Sequence, residues 1–270
     1  MHNFLSYDRR WLDEPHTGDH LGRAAWALGE VLGADLPPAL AEPARILLSE
    51  MLETLGNLSS PRSMAFAMLG LAHAEPTALG TAGEAVLRAL ADRLLAQQLR
   101  FAGEGWHWPE DSLTYDNARL PQALIAAGAR LGDDGLLQEG LRALEWYSSE
   151  VGADAPYVRF VGHEGRRRDE PHPGAGDEQP LDAAALAEAE AEAFVVTRHE
   201  NHSRRAVRAF EWFLGRNRLG VSVYDFATGG CHDGLGAETV NVNEGAESTL
   251  AYLQALLALD AAGLQATVPE

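Results

Sequence analysis

Leu58-Ser59-Ser60-Pro61-Arg62-Ser63-Met64-Ala65-Phe66-Ala67-Met68-Leu69-Gly70-Leu71-Ala72 is the stretch that decides the fold class. Its polar start closes on Pro61, well placed for a first helical turn, where the missing N–H costs nothing. Over 63–72 the residues are small and apolar on most of the circumference, and such a helix is buried on several sides. The same unit recurs in both directions along the chain. His16-Thr17-Gly18-Asp19-His20-Leu21-Gly22-Arg23 leads into 24–32, and Tyr115-Asp116-Asn117-Ala118-Arg119 leads into 120–131. Asp177-Glu178-Gln179-Pro180 leads into 181–196, and a glycine-rich loop around 224–248 leads into 249–259.

Between these inner helices lie more amphipathic ones over 42–55, 83–100, 135–149 and 203–214. The last places Ala206, Val207, Phe210, Phe213 and Leu214 on one face, with Arg204, Arg205, Arg208 and Glu211 opposite. Buried helices alternating with half-exposed ones form a helical-hairpin array. No repeat has a clear sequence copy, so a closed toroid fits better than an open solenoid. The expected fold is all-α, a toroid of about five to six hairpins, reduced or partly open. A single domain over 1–270 is expected, with a long loop at about 152–176 that breaks the alternation.

Composition narrows the function. A net charge of −19, from 21 basic and 40 acidic residues, argues against nucleic acid or an anionic membrane as the main partner. The basic residues are all arginine, which removes Schiff-base lysine chemistry and a complete Walker A loop. One cysteine, Cys231, leaves no internal disulfide and no cysteine-only zinc cage. No signal-like start and no long apolar run is seen, so no membrane insertion and a cytoplasmic location are expected.

The chemistry concentrates in the loops that enter the inner helices. The last of them reads Tyr224-Asp225-Phe226-Ala227-Thr228-Gly229-Gly230-Cys231-His232-Asp233-Gly234-Leu235, then Val240-Asn241-Val242-Asn243-Glu244-Gly245-Ala246-Glu247-Ser248. Dense hydrogen-bonding side chains among flexible glycines suit a loop that follows a polar ligand. In a hairpin ring these loops open at one end. They would bring together Asp19, His20 and Arg23, then Trp106, His107, Trp108, Glu110, Asp111, Tyr115, Asp116, Asn117 and Arg119. Asp177, Glu178, Gln179 and Asp182 would join Asp225, His232, Asp233, Asn241, Asn243, Glu244 and Glu247 there. Carboxylates, amides and aromatics suit a sugar, whose C–H face stacks on indole while its hydroxyls take the polar groups. Glycosidic cleavage needs one carboxylic acid and one carboxylate.

Each signal also has a plainer reading. Asp116-Asn117, Asp177 and Asn243-Glu244 stand where helix N-caps belong. Trp106 and Trp108 divide between core and stacking, and His107 with Pro109 places them in a loop and so at the rim. Trp26, Trp146 and Trp212 read as core. Cys231-His232-Asp233 lacks metal-ligand spacing, so no metal and no cofactor is expected, and Cys231 is not read as a nucleophile. Arg166-Arg167-Arg168 reads as a solvated loop face.

Trp106-His107-Trp108-Pro109-Glu110-Asp111, Leu113-Thr114-Tyr115-Asp116-Asn117-Ala118-Arg119-Leu120-Pro121, Thr228–Leu235 and Asn241–Leu250, with Gly22-Arg23-Ala24 and Ser60-Pro61-Arg62, carry a likeness across nearly the whole chain. The chain resembles the six-hairpin glycosidase-like, (α/α)-toroid domains found beside or fused to bacterial glycosyltransferases. That resemblance implies a fold and a carbohydrate context, with an oligosaccharide or glycoside as substrate and a glycosyltransferase as partner; fold alone does not set activity. Two departures stand out: the acid at the start of Asp177-Glu178-Gln179-Pro180, and the shortage of a full sixth hairpin.

The resulting expectation is a glycoside hydrolase with Asp116 and Glu244 as the catalytic pair and Asp233 and Asp177 in reserve. Trp106, Trp108, Tyr115, Asn117, Arg119, Gln179, His232, Asn241, Asn243 and Glu247 would hold the sugar. The alternatives are a non-catalytic sugar-binding or accessory domain of a glycosyltransferase system, and a sugar epimerase or isomerase using His20, His107 or His232.

Overall fold

The structure, a computed structural model, describes residues 1–171 and 176–266. The expected loop over 152–176 therefore lies partly outside the described residues. In chain order the elements are α1 (Asp19–Gly33), α2 (Pro38–Leu55), α3 (Pro61–His73), α4 (Pro76–Phe101), β1 (Ser112–Leu113), α5 (Arg119–Leu131) and α6 (Asp134–Glu150). There follow β2 (Arg166–Arg167), α7 (Pro180–Thr197), α8 (Glu200–Glu211), β3 (Gly234–Leu235), β4 (Val240–Asn241) and α9 (Ala246–Ala261). The all-α class is borne out. The strands form two minimal antiparallel ladders, β1 with β2 and β3 with β4. No helix among the described residues is long and apolar enough to cross a membrane.

Two compact units make up the chain: Met1–Ala96 with Ala126–Leu137, and Gln97–Ile125 with Gln138–Glu270. The division runs through α4, α5 and α6 and not through a linker.

In the first unit α1 lies against α3, although α2 separates them in sequence. Small residues make the approach possible. A Cβ on Gly29 would fall 2.0 Å from the Gly70 carbonyl oxygen, and one on Gly22 would fall 2.4 Å from that of Ser63. The contacts advance together along both helices, so the two run parallel. At their N-terminal ends Ser63 Oγ donates to Asp19 Oδ1 at 2.7 Å. Pro61 opens α3 as its first residue, and 64–69 are fully buried. Trp26 stacks on Phe66 at 5.9 Å, as its core reading required.

In the second unit α7 is buried along nearly its whole length and packs on both α8 and α9. Alanine dominates its surface, so neighbours can press close on several sides. α8 turns Ala206, Ala209 and Phe210 inward. Trp212 and Phe213 follow it into the core, edge-on to one another at 5.5 Å. In each unit an inner helix thus packs on the next inner helix, with the outer one between them in sequence, the neighbour relation of an (α/α) array.

The arginine run departs from expectation. Arg166 is buried, pairs with Glu150 and lies 5.5 Å over the Trp106 ring. Pairing of Ser112 with Arg167 and Leu113 with Arg166 draws the run into a ladder, while the Arg167 and Arg168 side chains stay exposed, so only Arg166 leaves the solvated face.

Candidate functional site

The second unit laces the N-terminal ends of α5, α7 and α9 into one polar layer. Asn117 donates from its backbone N at 3.3 Å and from Nδ2 at 3.4 Å to Asp182 Oδ1, joining α5 to α7. Glu178 and Leu235 exchange backbone bonds of 3.1 and 2.8 Å, which joins the start of α7 to the loop before α9. Asp233 then closes that loop onto α9. Its Oδ1 accepts from the Gly245 amide at 2.8 Å and the Ser248 hydroxyl at 2.6 Å, while Oδ2 accepts from Asn243 Nδ2. The orphan N–H groups of a helix start need such partners. Here a residue from the neighbouring loop supplies the acceptor, since Gly245 at the N-cap has no side chain to do so.

Burial sorts the expected site residues. Asp116 is 2 % exposed and sits in the left-handed region with φ 51°. Its carboxylate lies 3.4 Å from Arg119 Nε. Arg119 in turn grips Glu188 through two bonds of 2.7 Å and donates to Gln122 at 2.9 Å. Burial works against the Arg119 charge, but Glu188 and then Asp116 outweigh it and hold the guanidinium above its usual range. Asn117 is fully buried and accepts from the Thr114 amide at 3.0 Å. Asp116, Asn117 and Arg119 thus lie inside the unit and knit α5 to α7.

Trp106 and Trp108 are 3 % and 0 % exposed, which corrects the rim position expected for them. Two residues apart on extended chain, their indoles share one side, and His107 takes the other and is exposed. Trp106 donates to the Glu110 carbonyl at 2.7 Å, and Trp108 stacks on Tyr147 at 5.4 Å. Trp146, expected in the core, is only half-buried and donates to the Gly105 carbonyl at 3.1 Å.

The open part of the layer is the loop before α9. Asp225, His232 and Glu244 each place a donor atom within 4.8 Å of the others, all three partly accessible. Asp225 Oδ1 accepts from the Ala227 amide at 2.7 Å and that of Thr228 at 3.4 Å. The Ala227 amide holds the Asp225 carboxyl below the ordinary aspartate range; burial opposes this, and Thr228, Glu244 and His232 add to it. Glu244 Oε2 accepts from Thr228 Oγ1 at 2.8 Å, and Oε1 stands 3.7 Å from His232 Nδ1. That nitrogen is buried, with no hydrogen-bond partner among the described residues. A Cβ on Gly230 would fall 2.3 Å from Glu244 Oε2, so a larger residue there would push this carboxylate aside. The three side chains could hold a cation as well as act on a substrate.

Around this cluster Tyr224 stacks on Tyr252 at 4.2 Å, and Phe226 stands edge-on to Tyr224, 63 % exposed. Asn241 and Asn243 are exposed, with the Asn243 amide donating to Asn241 Oδ1 at 3.1 Å. Glu247 is exposed in the first turn of α9. Asp177 and Gln179 are half-buried before α7, and a Cβ on Gly236 would approach Asp177 Oδ1 to 3.4 Å. Tyr115 is 37 % exposed. Cys231 is buried, and burial followed by the charges of Asp233 and Glu244 pushes its thiol up to about 12, which suits no nucleophile.

Asp225 belonged to the expected polar mouth without an assigned role, although the spacing Asp225-Phe226-Ala227 is that of an Asx turn. The buried Glu188 and Glu190 of α7 lay outside the expected cluster. Glu190 is fully buried between Ser148, His202 and Arg205. Its signal was the run Ala187-Glu188-Ala189-Glu190-Ala191-Glu192-Ala193, in which acids punctuate a helix too apolar to be exposed.

No family model matches the chain, and no curated protein does. Among solved structures the chain is similar to the crystal structure of an unsaturated glucuronyl hydrolase specific for heparin. The TM-score is 0.49 at 11% identity, covering 96% of this chain and 91% of that one. A likeness of this size sets no activity for the chain.

Proposed function

We propose that this protein is a carbohydrate-active enzyme that hydrolyses a glycosidic bond with Asp225 and Glu244 as its carboxylate pair. The observation that supports it is the approach of these two partly accessible carboxylates, with donor oxygens within 4.8 Å, beside His232. A retaining pair stands about 5–5.5 Å apart and an inverting pair farther, and we propose the retaining course for these two close carboxylates. Asp225, held below the ordinary aspartate range, carries the negative charge and attacks the anomeric carbon. Glu244 delivers a proton to the leaving oxygen, then takes one from the water that releases the sugar. Phe226 offers an exposed aromatic face, and Asn241, Asn243 and Thr228 offer polar groups to hydroxyls. Asp177, Gln179 and Glu247 flank the same layer. Asp116 has no part in this reading, being buried against Arg119.

The test is incubation with a panel of oligosaccharides followed by mass. Products that together gain the mass of one water support the proposal. An isomer of unchanged mass would shift the assignment to an epimerase. Binding without any product would shift it to a sugar-binding module, for which co-purification with a glycosyltransferase is the next measurement.

A further inference from the structure

An open groove of about 490 Å³ lies along the outer side of α8, away from the residues of the carboxylate pair in sequence and lining. Its walls include Arg204, Arg208, Arg216, Glu211, Val207 and Leu264. Three guanidiniums face one carboxylate there, in a chain of net charge −19. Glu211 is already matched, since Arg216 Nη1 donates to it at 2.6 Å. Among the described residues of the wall, that leaves two guanidiniums without a counter-charge. Arg204 and Arg208 also act on Asp154, which is bound to Arg205.

The cationic groups differ in how they are held. Arg216 Nε donates to the Pro156 carbonyl at 3.1 Å, and Arg208 Nη1 donates to the Ala155 carbonyl. Each guanidinium is thereby anchored while keeping N–H groups for a ligand. Arg204 is exposed and makes no hydrogen bond or ion pair among the described residues. Anchored guanidiniums present a fork of donors that matches a phosphate, with less entropy lost on binding than for a free side chain. Val207 and Leu264 supply apolar surface beside the charges. The volume exceeds what a bare phosphate fills and falls within the range of small-molecule sites.

We propose that this groove binds a small organic phosphomonoester, its dianion on Arg204, Arg208 and Arg216 and its organic body on Val207 and Leu264. The site stands independently of the carbohydrate reading. Calorimetric titration of the full chain with phenyl phosphate, inorganic phosphate and phenol tests it. Phenyl phosphate should bind saturably and more tightly than inorganic phosphate, phenol should not bind, and affinity should fall as salt rises. Arg204→Ala, which removes no internal contact, should weaken phenyl phosphate by about tenfold with thermal unfolding unchanged. No saturable binding at millimolar ligand, or an affinity indifferent to Arg204→Ala, would overturn the site. Inorganic phosphate bound as tightly as phenyl phosphate would overturn the assignment to an organic ester.

Discussion

Asp233 and Asp116 are both aspartates in loops that lead to an inner helix, and their surroundings give them opposite characters. Asp233 is partly exposed and accepts from Gly245, Ser248 and Asn243. Burial raises its pKa, but the Ser248, Asn243 and Gly245 bonds win, and the carboxyl sits below the ordinary value of 3.8. A carboxylate with a lowered folded pKa adds stability that is complete above the unfolded value and lost as pH falls through the folded one. The join between the 224–245 loop and α9 should therefore weaken on acidification below 3.8. Hydrogen-exchange protection at the Gly245 amide reports it. Asp233→Asn should lower that protection already at neutral pH and flatten its pH dependence; unchanged protection would remove Asp233 as the tie. Asp116 instead spends its charge inside the unit on Arg119, the same residue that clamps Glu188.

At the scale of elements, the parallel pair α1 and α3 depends on missing side chains. A methyl group on Gly29 would meet the Gly70 carbonyl, carbon and Cα within 2.4 Å, all backbone atoms that cannot swing aside. Gly29→Ala should cost about 1–3 kcal/mol or more, the usual penalty of overpacking, despite alanine's better helix propensity. Chemical denaturation measures it, and a neutral or stabilising result would contradict the close approach. These helices were legible in the chain because Pro61, the small apolar runs and the alternating amphipathic segments are local signals. The expected inner segment 63–72 became Pro61–His73, and 181–196 became Pro180–Thr197. The direction in which a loop residue faces was less legible. Asp116 with Arg119 three residues on hinted at an ion pair, but Glu188, which draws that arginine inward, lies 69 positions away. Trp106 and Trp108 went the same way: their two-residue spacing shows that they share a side, and only the packing of Tyr147 and Trp146 shows that the side is inward.

For the whole molecule, 40 acidic against 21 basic residues make self-repulsion a general load on the folded state. Salt screens charges separated by more than about 8–10 Å at physiological strength. Thermal unfolding should therefore shift upward from low to moderate salt, before any specific ion effect enters. A fall over that range would mean that attractive pairs such as Arg205 with Glu145 and Asp154 outweigh the excess of negative charge. Function adds a demand of its own, because chemistry needs carboxylates that solvent and substrate can reach. The 224–247 loop offers them in Asp225 and Glu244, while the α5 start uses its acid for cohesion. The most direct measurement is oligosaccharide turnover per folded molecule for Glu244→Gln against Asp116→Asn, with unfolding temperature read alongside. Glu244→Gln should lose about 100-fold or more in kcat at an unchanged Tm, and Asp116→Asn should lower Tm while its folded fraction keeps its kcat. A fully active Glu244→Gln, or a stable Asp116→Asn that has lost turnover, would contradict the assignment of the site.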